Sequence, residues 1–164
     1  MSSRYADERY SPKVPACSPA PIRLSFDGHF LNASGVKFAV FPAVSGKASK
    51  GKFDYSVKNQ KILNAGPIPE GDYWIQPSEI QENAWYRYNN SQAAWGDFWL
   101  TIHPHPRTNT YARGGFFIHG GSFPGSSGCI DLSVNIGKFI AFLNATLDKS
   151  KNCYIPLTVN YYQK

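Results

Sequence analysis

The 164-residue chain is short of charge, of cysteine and of long apolar runs. Charged residues are 17% of it, against 42% hydrophobic and 15% aromatic, which excludes an intrinsically disordered chain and leaves ample material for a core. The length fits one domain. Three cysteines, Cys17, Cys129 and Cys153, are too few and too irregularly spaced for a disulfide scaffold or a zinc ribbon. At least one thiol is expected to stay outside any intramolecular disulfide. No apolar run is long enough to span a bilayer, so no membrane insertion is expected, and residues 1–14 lack the apolar stretch of a secretory signal. The net charge of +6 and pI near 9.2 favour anionic partners. Lys47, Lys50 and Lys52 are spaced by small residues like a solvated loop, and no RNA-binding aromatic signature accompanies them, so no nucleic-acid partner is expected.

What is present divides the chain in two. Residues 1–21 carry Pro12, Pro15, Pro19 and Pro21 with little apolar content and read as an extended Pro-rich leader, with one domain over 22–164. Residues 22–26 and 29–31 flank Asp27-Gly28, a two-residue turn suited to a hairpin. Strands are predicted over 36–41, where Val36, Phe38 and Val40 alternate with Lys37, Ala39 and Phe41, and over 72–75, 98–103, 115–119 and 155–161. Residues 78–95 read as a long loop, and the Gly- and Ser-rich stretch from 120 to 128 as another. Ile136, Phe139, Ile140, Leu143 and Leu147 recur every three or four positions, predicting a helix with Ser133 as N-cap. The expected architecture is mainly β, sandwich-like, with one packed α-helix near the C-terminus.

The segment richest in chemistry runs Gly115-Phe116-Phe117-Ile118-His119-Gly120-Gly121, then a flexible loop, then Ser126-Ser127-Gly128-Cys129-Ile130-Asp131. A strand delivers a histidine and a loop brings a cysteine back beside it. A thiol is mostly protonated at neutral pH, and a neighbouring imidazole takes the proton it must lose to become a nucleophile. Gly128 permits a sharp turn, and the amides of Gly128 and Cys129 are candidate donors to the oxygen of a tetrahedral intermediate, with Ser126, Ser127 and Gly120 in the same loop structure. Either residue alone would read as a satisfied strand-end histidine or a small buried hydrophobe.

His119-Gly120 followed by Ser126-Ser127-Gly128-Cys129 resembles the signature of L,D-transpeptidase catalytic domains. A weaker agreement is Val44-Ser45-Gly46 leading to Gly66-Pro67-Ile68-Pro69-Glu70-Gly71, similar to that family's earlier strand pair. The nearest likeness is to a divergent branch, the type VI secretion effectors that act on cell-wall tetrapeptides. The resemblance implies a Cys129 acyl-enzyme with His119 as base, and cleavage or exchange of the terminal D-amino acid of peptidoglycan stem tetrapeptides, with no metal or other cofactor. It also implies a secreted protein acting in the periplasm of a target bacterium, a cognate immunity protein that plugs the cleft, and a leader that serves loading or binds a secretion adaptor. A catalytically silent wall-binding module is the alternative.

Two positions depart from the family pattern: Ser127 replaces a second histidine, and Asp131 replaces arginine or asparagine. Arg113 reads either as a clamp for a substrate carboxylate or as a solvated loop arginine. Asp131 either orients His119 or marks the helix start. Gly120 or Ser122 is expected to orient the histidine. Among the aromatic residues, Trp99 and Phe117 are assigned to the core, and Trp95 and Tyr111 to the cleft. His103 is expected to line the cleft beside His119; a zinc site built from His103, His105 and His119 is disfavoured by Pro104 and by the lack of a neighbouring carboxylate. Cys17 and Cys153 can pair if the leader folds back, and are expected to be structural or incidental thiols.

Overall fold

The computed structural model describes residues 13–82, 98–121, 125–148 and 153–162. It is mainly β, with one long helix near the C-terminal end. The strands are β1 (Ile22–Phe26), β2 (Phe30–Gly35), β3 (Ala39–Pro42), β4 (Val44–Ser45), β5 (Gly71–Ile75), β6 (Gln81–Glu82), β7 (Phe98–Pro104), β8 (Phe117–His119), β9 (Ile130–Asp131) and β10 (Ile155–Val159). They follow one hydrogen-bonded path, β3-β2-β1-β10-β5-β7-β8-β9-β4, with β6 attached to β7. Pairing is antiparallel except for β1 with β10 and β8 with β9.

The first hairpin forms as the turn residues dictate. The Asp27 carboxylate accepts the N–H groups of His29 and Phe30, both at 2.8 Å, and Gly28 takes the positive φ of +96°. The next strand starts later than expected and shows which of its alternating sets is the inner one. Phe41 and Ala39 face β2 partners Leu31 and Ala33 of the core, while Val36, Phe38 and Val40 are exposed. Phe41 is fixed inward by edge-to-face contacts with Phe139 and Phe142 at 5.4 and 5.8 Å.

Strand β7 joins the two halves of the sheet. Its end, Ile102 to Pro104, pairs with β5, whereas Trp99 to Thr101 pairs with β8. Pro104 is the last residue of β7 and leaves the ladder toward β8 intact. Helix α1 (Val57–Gln60) is a single capped turn that periodicity does not reveal. Helix α2 (Ile136–Thr146) buries Ile136, Phe139, Ile140 and Leu143 against the sheet, each contributing about 1.5–3 kcal/mol. Ser133 is not its N-cap. It lies in a 3-10 turn, Ser133–Asn135, that precedes the helix, and its own N–H donates to Asp131 Oδ1 at 2.8 Å.

The end of the Pro-rich segment lies along β10. Ala20 N–H donates to the Tyr154 carbonyl at 2.7 Å, Pro19 bridges to Tyr154, and Cys17 is disulfide-bonded to Cys153. No helix among the described residues is long and apolar enough to cross a membrane.

Candidate active site

The parallel ladder of β8 and β9 brings the segments that carry His119 and Cys129 side by side. Ile118 faces Ile130 in the core, and His119 faces Asp131. Cys129 immediately precedes β9, one position back from Ile130, so the pleat puts Cys129 and Asp131 on the same side as His119. Short strands suffice because Ile118 and Ile130, both fully buried, fix the register.

His119 is almost fully buried, and its Nδ1 stands 2.7 Å from the Gly120 carbonyl. A carbonyl only accepts, so Nδ1 carries the hydrogen and Nε2 keeps a lone pair. Burial lowers the histidine pKa below its usual value, the Gly120 bond opposing, and the ring is therefore neutral at pH 7. Cys129 has no exposed surface; its thiol donates to the Gly115 carbonyl at 3.9 Å. Burial pushes its pKa up to about 12, against the pull of a Phe117 backbone hydrogen bond and of Arg113. Cys129 and His119 thus rest as neutral thiol and neutral imidazole.

Asp131 sits beneath both residues and is fully buried. Its Oδ2 accepts from Gly125 N–H and its Oδ1 from Ser133 N–H, each at 2.8 Å, so one carboxylate fixes the loop before Cys129 and the entry to α2. Burial raises its pKa to about 6. Its Oδ1 is 4.0 Å from His119 Nδ1, whose hydrogen goes to Gly120. Asp131 thus ends β9 with its carboxylate turned to the Gly125 and Ser133 amides.

The loop around Cys129 is held by its backbone. Ser126 Oγ donates to the Cys129 carbonyl at 2.8 Å, and Ser126 N–H to the Gly46 carbonyl at 2.9 Å. Gly128 has φ +87°, and a Cβ there would lie 2.7 Å from Arg113 Nη2 and 3.0 Å from the Phe116 ring. Glycine is required at that position. Gly120 is similarly enclosed, 2.4 Å from Ile136 Cγ2 and 2.5 Å from the Ser133 carbonyl by the same measure. Ser127 is half-buried in the loop.

Other expected site residues fall elsewhere. Arg113 is buried and is neither a solvated loop residue nor an open clamp. Its guanidinium donates to the carbonyls of Gln60 (2.5 Å), Pro67 (2.7 Å) and Gly66 (2.8 Å), which leaves it beneath the Cys129 loop. His103 does not stand beside His119. Trp99 is the β7 partner of His119, and His103 lies four residues further along, about 13 Å away at strand spacing. It stacks on Trp74 with centroids 5.3 Å apart and pairs with Glu79 at 2.5 Å, so a carboxylate is present where none was expected. No group of three or more metal-ligating side chains is assembled among the described residues. Tyr111 is in the 105–116 connection, with Lys61 Nζ 5.5 Å over its ring. Trp99 packs edge-to-face with Phe117 at 5.4 Å, both half-buried. Trp95 and Ser122 lie outside the described residues.

Behind Cys129 lies a layer built from two stretches that the sequence singled out and from Gln60, which it did not. Ser45 Oγ accepts Ile68 N–H at 2.8 Å, and Gly46, with φ +83°, lies so close to Pro67 that a Cβ would be 2.8 Å from its nitrogen. Strand β4 pairs with β9, Val44 opposite Asp131 and Ser45 opposite Ile130. The Val44-Ser45-Gly46 and Gly66-Pro67-Ile68-Pro69 stretches are therefore the floor of the Cys129 loop. Gln60, fully buried, links them to Glu70 through Nε2 to Oε1 (3.1 Å) and Oε1 from Glu70 N–H (3.0 Å). The signal was available in Ser45 and Gly46, but nothing local marks Gln60.

No curated protein matches this chain. Its structure is similar to that of Mycobacterium tuberculosis L,D-transpeptidase 1, at 17% identity and a TM-score of 0.40, over 85% of this chain and 58% of that one. The chain thus spans less than two thirds of that protein's length. The Tlde1 domain matches residues 40–156, from β3 through Cys129 and α2 into β10. With that match covering well over half of its residues, the chain belongs to the Tlde1 domain family.

Proposed function

We propose that the protein cleaves or exchanges the terminal D-amino acid of peptidoglycan stem tetrapeptides through a Cys129 acyl-enzyme. Family membership supports a peptidoglycan-modifying, transpeptidase-like effector. The observation that supports the finer reading is the β8–β9 register, which puts Cys129 and His119 on the same side of the ladder, with His119 Nδ1 turned to the Gly120 carbonyl.

His119 Nε2 takes the thiol proton as the Cys129 sulfur forms a bond to the carbonyl carbon of the third stem residue. The oxygen of the resulting tetrahedral intermediate is met by the Gly128 and Cys129 amides. Collapse breaks the C–N bond, His119 returns its proton to the departing D-amino acid, and a thioester remains. Water then gives a tripeptide; an amine gives an exchanged or crosslinked product. Cys129 has no exposed surface in the resting state, so substrate entry requires its sulfur to swing away from Gly115 or the chain above it to shift. That burial also favours the second reading, a silent wall-binding module.

Mass spectrometry of isolated stem tetrapeptides and cell wall incubated with the protein separates the two. Loss or exchange of the terminal residue, abolished in Cys129→Ala, is expected. Unchanged stem peptides with the native protein, or equal turnover by Cys129→Ala, leave binding as the function. The site of action is the periplasm of a target bacterium, a reading supported by the Cys17–Cys153 disulfide, since such bonds persist in oxidising compartments. A cognate immunity protein covering the His119 and Cys129 site, and a secretion adaptor engaging the Pro-rich leader, complete this proposal. Periplasmic but not cytoplasmic expression is expected to lyse a sensitive cell; equal toxicity from the cytoplasm contradicts it.

A further inference from the structure

The turn Gly66-Pro67-Ile68-Pro69 presents four consecutive carbonyls to the interior, and every one is taken. Gly66 and Pro67 accept from Arg113, Ile68 from Tyr161 Oη at 2.6 Å, and Pro69 from Tyr73 Oη at 2.6 Å. A third carbonyl, from Gln60, also binds Arg113. All five groups are neutral, and no salt bridge to Arg113 occurs among the described residues. A buried guanidinium is thus held by dipoles, with its charge uncompensated by a carboxylate. Such a charge is costly unless an anion forms nearby. Its Nη2 reaches Gly128, the residue before the sulfur, and its plane covers Phe116 at 5.7 Å.

We propose that Arg113, held by the Gly66-to-Pro69 carbonyl cradle, is a positioning residue that fixes Gly128 and supplies the positive charge facing the Cys129 sulfur as that sulfur becomes anionic. The proposal rests on Cys129 acting as a nucleophile. The charged and titratable groups facing the sulfur are Arg113 from behind, His119 on β8 and Asp131 on β9; Tyr73 and Tyr161 face Arg113 from the other side. Asp131 and Arg113 act on the thiol in opposite directions, Arg113 favouring its ionised form together with the Phe117 backbone hydrogen bond. In this arrangement the glycine- and proline-rich turn, remote in sequence, serves the nucleophile through one side chain. Lysine, a point charge without the planar fork, can carry the charge but not hold all three carbonyls.

The test reads the thiol itself. Cys17 and Cys153 are disulfide-bonded, so iodoacetamide labels Cys129 as the single thiol of the non-reduced protein. The alkylation rate is followed against pH by intact mass, in parallel with circular dichroism and thermal melting, for native protein, Arg113→Gln and Arg113→Lys. Removing an opposite charge near a thiol raises its pKa, and each unit of rise leaves about tenfold less thiolate below the midpoint, so Arg113→Gln is expected to alkylate about tenfold more slowly at a fixed pH there. Arg113→Lys is expected to melt lower yet keep its alkylation midpoint near the native one. A folded Arg113→Gln with the native profile overturns the proposal. If Arg113→Gln does not fold, Arg113→Lys decides: a folded lysine variant whose midpoint rises despite the retained charge overturns it, and a native midpoint supports it. Because no wall substrate enters the assay, a protein inactive on stem peptides still reports the Arg113 effect, and loss of the proposed function is seen separately in the peptide assay.

Discussion

Held neutral by its burial, with the Gly120 carbonyl opposing, His119 resists protonation in the fold but not in the unfolded chain. Its contribution to stability is therefore complete above the ordinary histidine value of 6.5 and is lost as pH falls through and below it. Asp131 acts in the opposite sense: burial raises its folded pKa from 3.8 to about 6, so its contribution is complete below 3.8 and is lost as pH rises toward about 6. Melting temperatures of native protein and His119→Gln measured from pH 4.5 to 8 separate the two. The glutamine variant is expected to lose less stability on the acid side of 6.5 than the native protein does; identical acid slopes would show that His119 titrates alike in both states. Of the residues around this pair, Cys129 and His119 were legible from type and spacing. The burial of Arg113 and Asp131 was not, because a charged residue in a loop sequence gives no sign of which carbonyls or amides will surround it.

At the scale of elements, the site depends on short pieces paired across long sequence distances. Strands β4 and β9 are two residues each, and periodicity is silent about elements of that length. The hairpin β1–β2, the strands β5, β7 and β10 and the helix α2 were legible because their patterns run for several residues. Strand β3 carries a clear alternation whose inward side is decided by tertiary packing rather than by apolarity, since Phe38 is 80% exposed and Phe41 only 8%. Phe41→Ala is expected to cost about 3–5 kcal/mol, while Phe38→Ser stays within about 0.5 kcal/mol; denaturant unfolding of both reads this, and equal losses would contradict the inward assignment. The floor of the site gives a second expectation. Ser45→Ala leaves the buried Ile68 N–H without its acceptor, at a cost of about 1–3 kcal/mol. Ser45→Ala should also slow stem-peptide turnover, since Ser45 holds the turn that carries Arg113; unchanged stability and turnover would mean that the turn forms without it.

For the whole molecule, the Cys17–Cys153 bond joins positions 136 residues apart, across the parallel pair β1 and β10. Cross-linking a loop of that length restricts the unfolded chain by about 5 kcal/mol on the chain-entropy account, and measured effects of native disulfides are about 2–5 kcal/mol. Thermal melts with and without reductant, and of the Cys17→Ser, Cys153→Ser double variant, are expected to fall together by an amount in that range. A variant melting at the native temperature would show that the ladder between β1 and β10 holds without the bond. Cys129 lies within the span but outside the bond, so the double variant retains its thiol.

The same bond makes the polypeptide from Cys17 to Cys153 a covalent ring that contains, among the described elements, strands β1 to β9 and both helices, with β10 following it. A ring cannot pass end-first through an opening that admits one extended chain, whereas the dithiol form can be drawn through it in single file. Any route that exports this chain unfolded must therefore act on the dithiol form, with ring closure following arrival, and a route that carries it already closed must accept the folded width of the sheet.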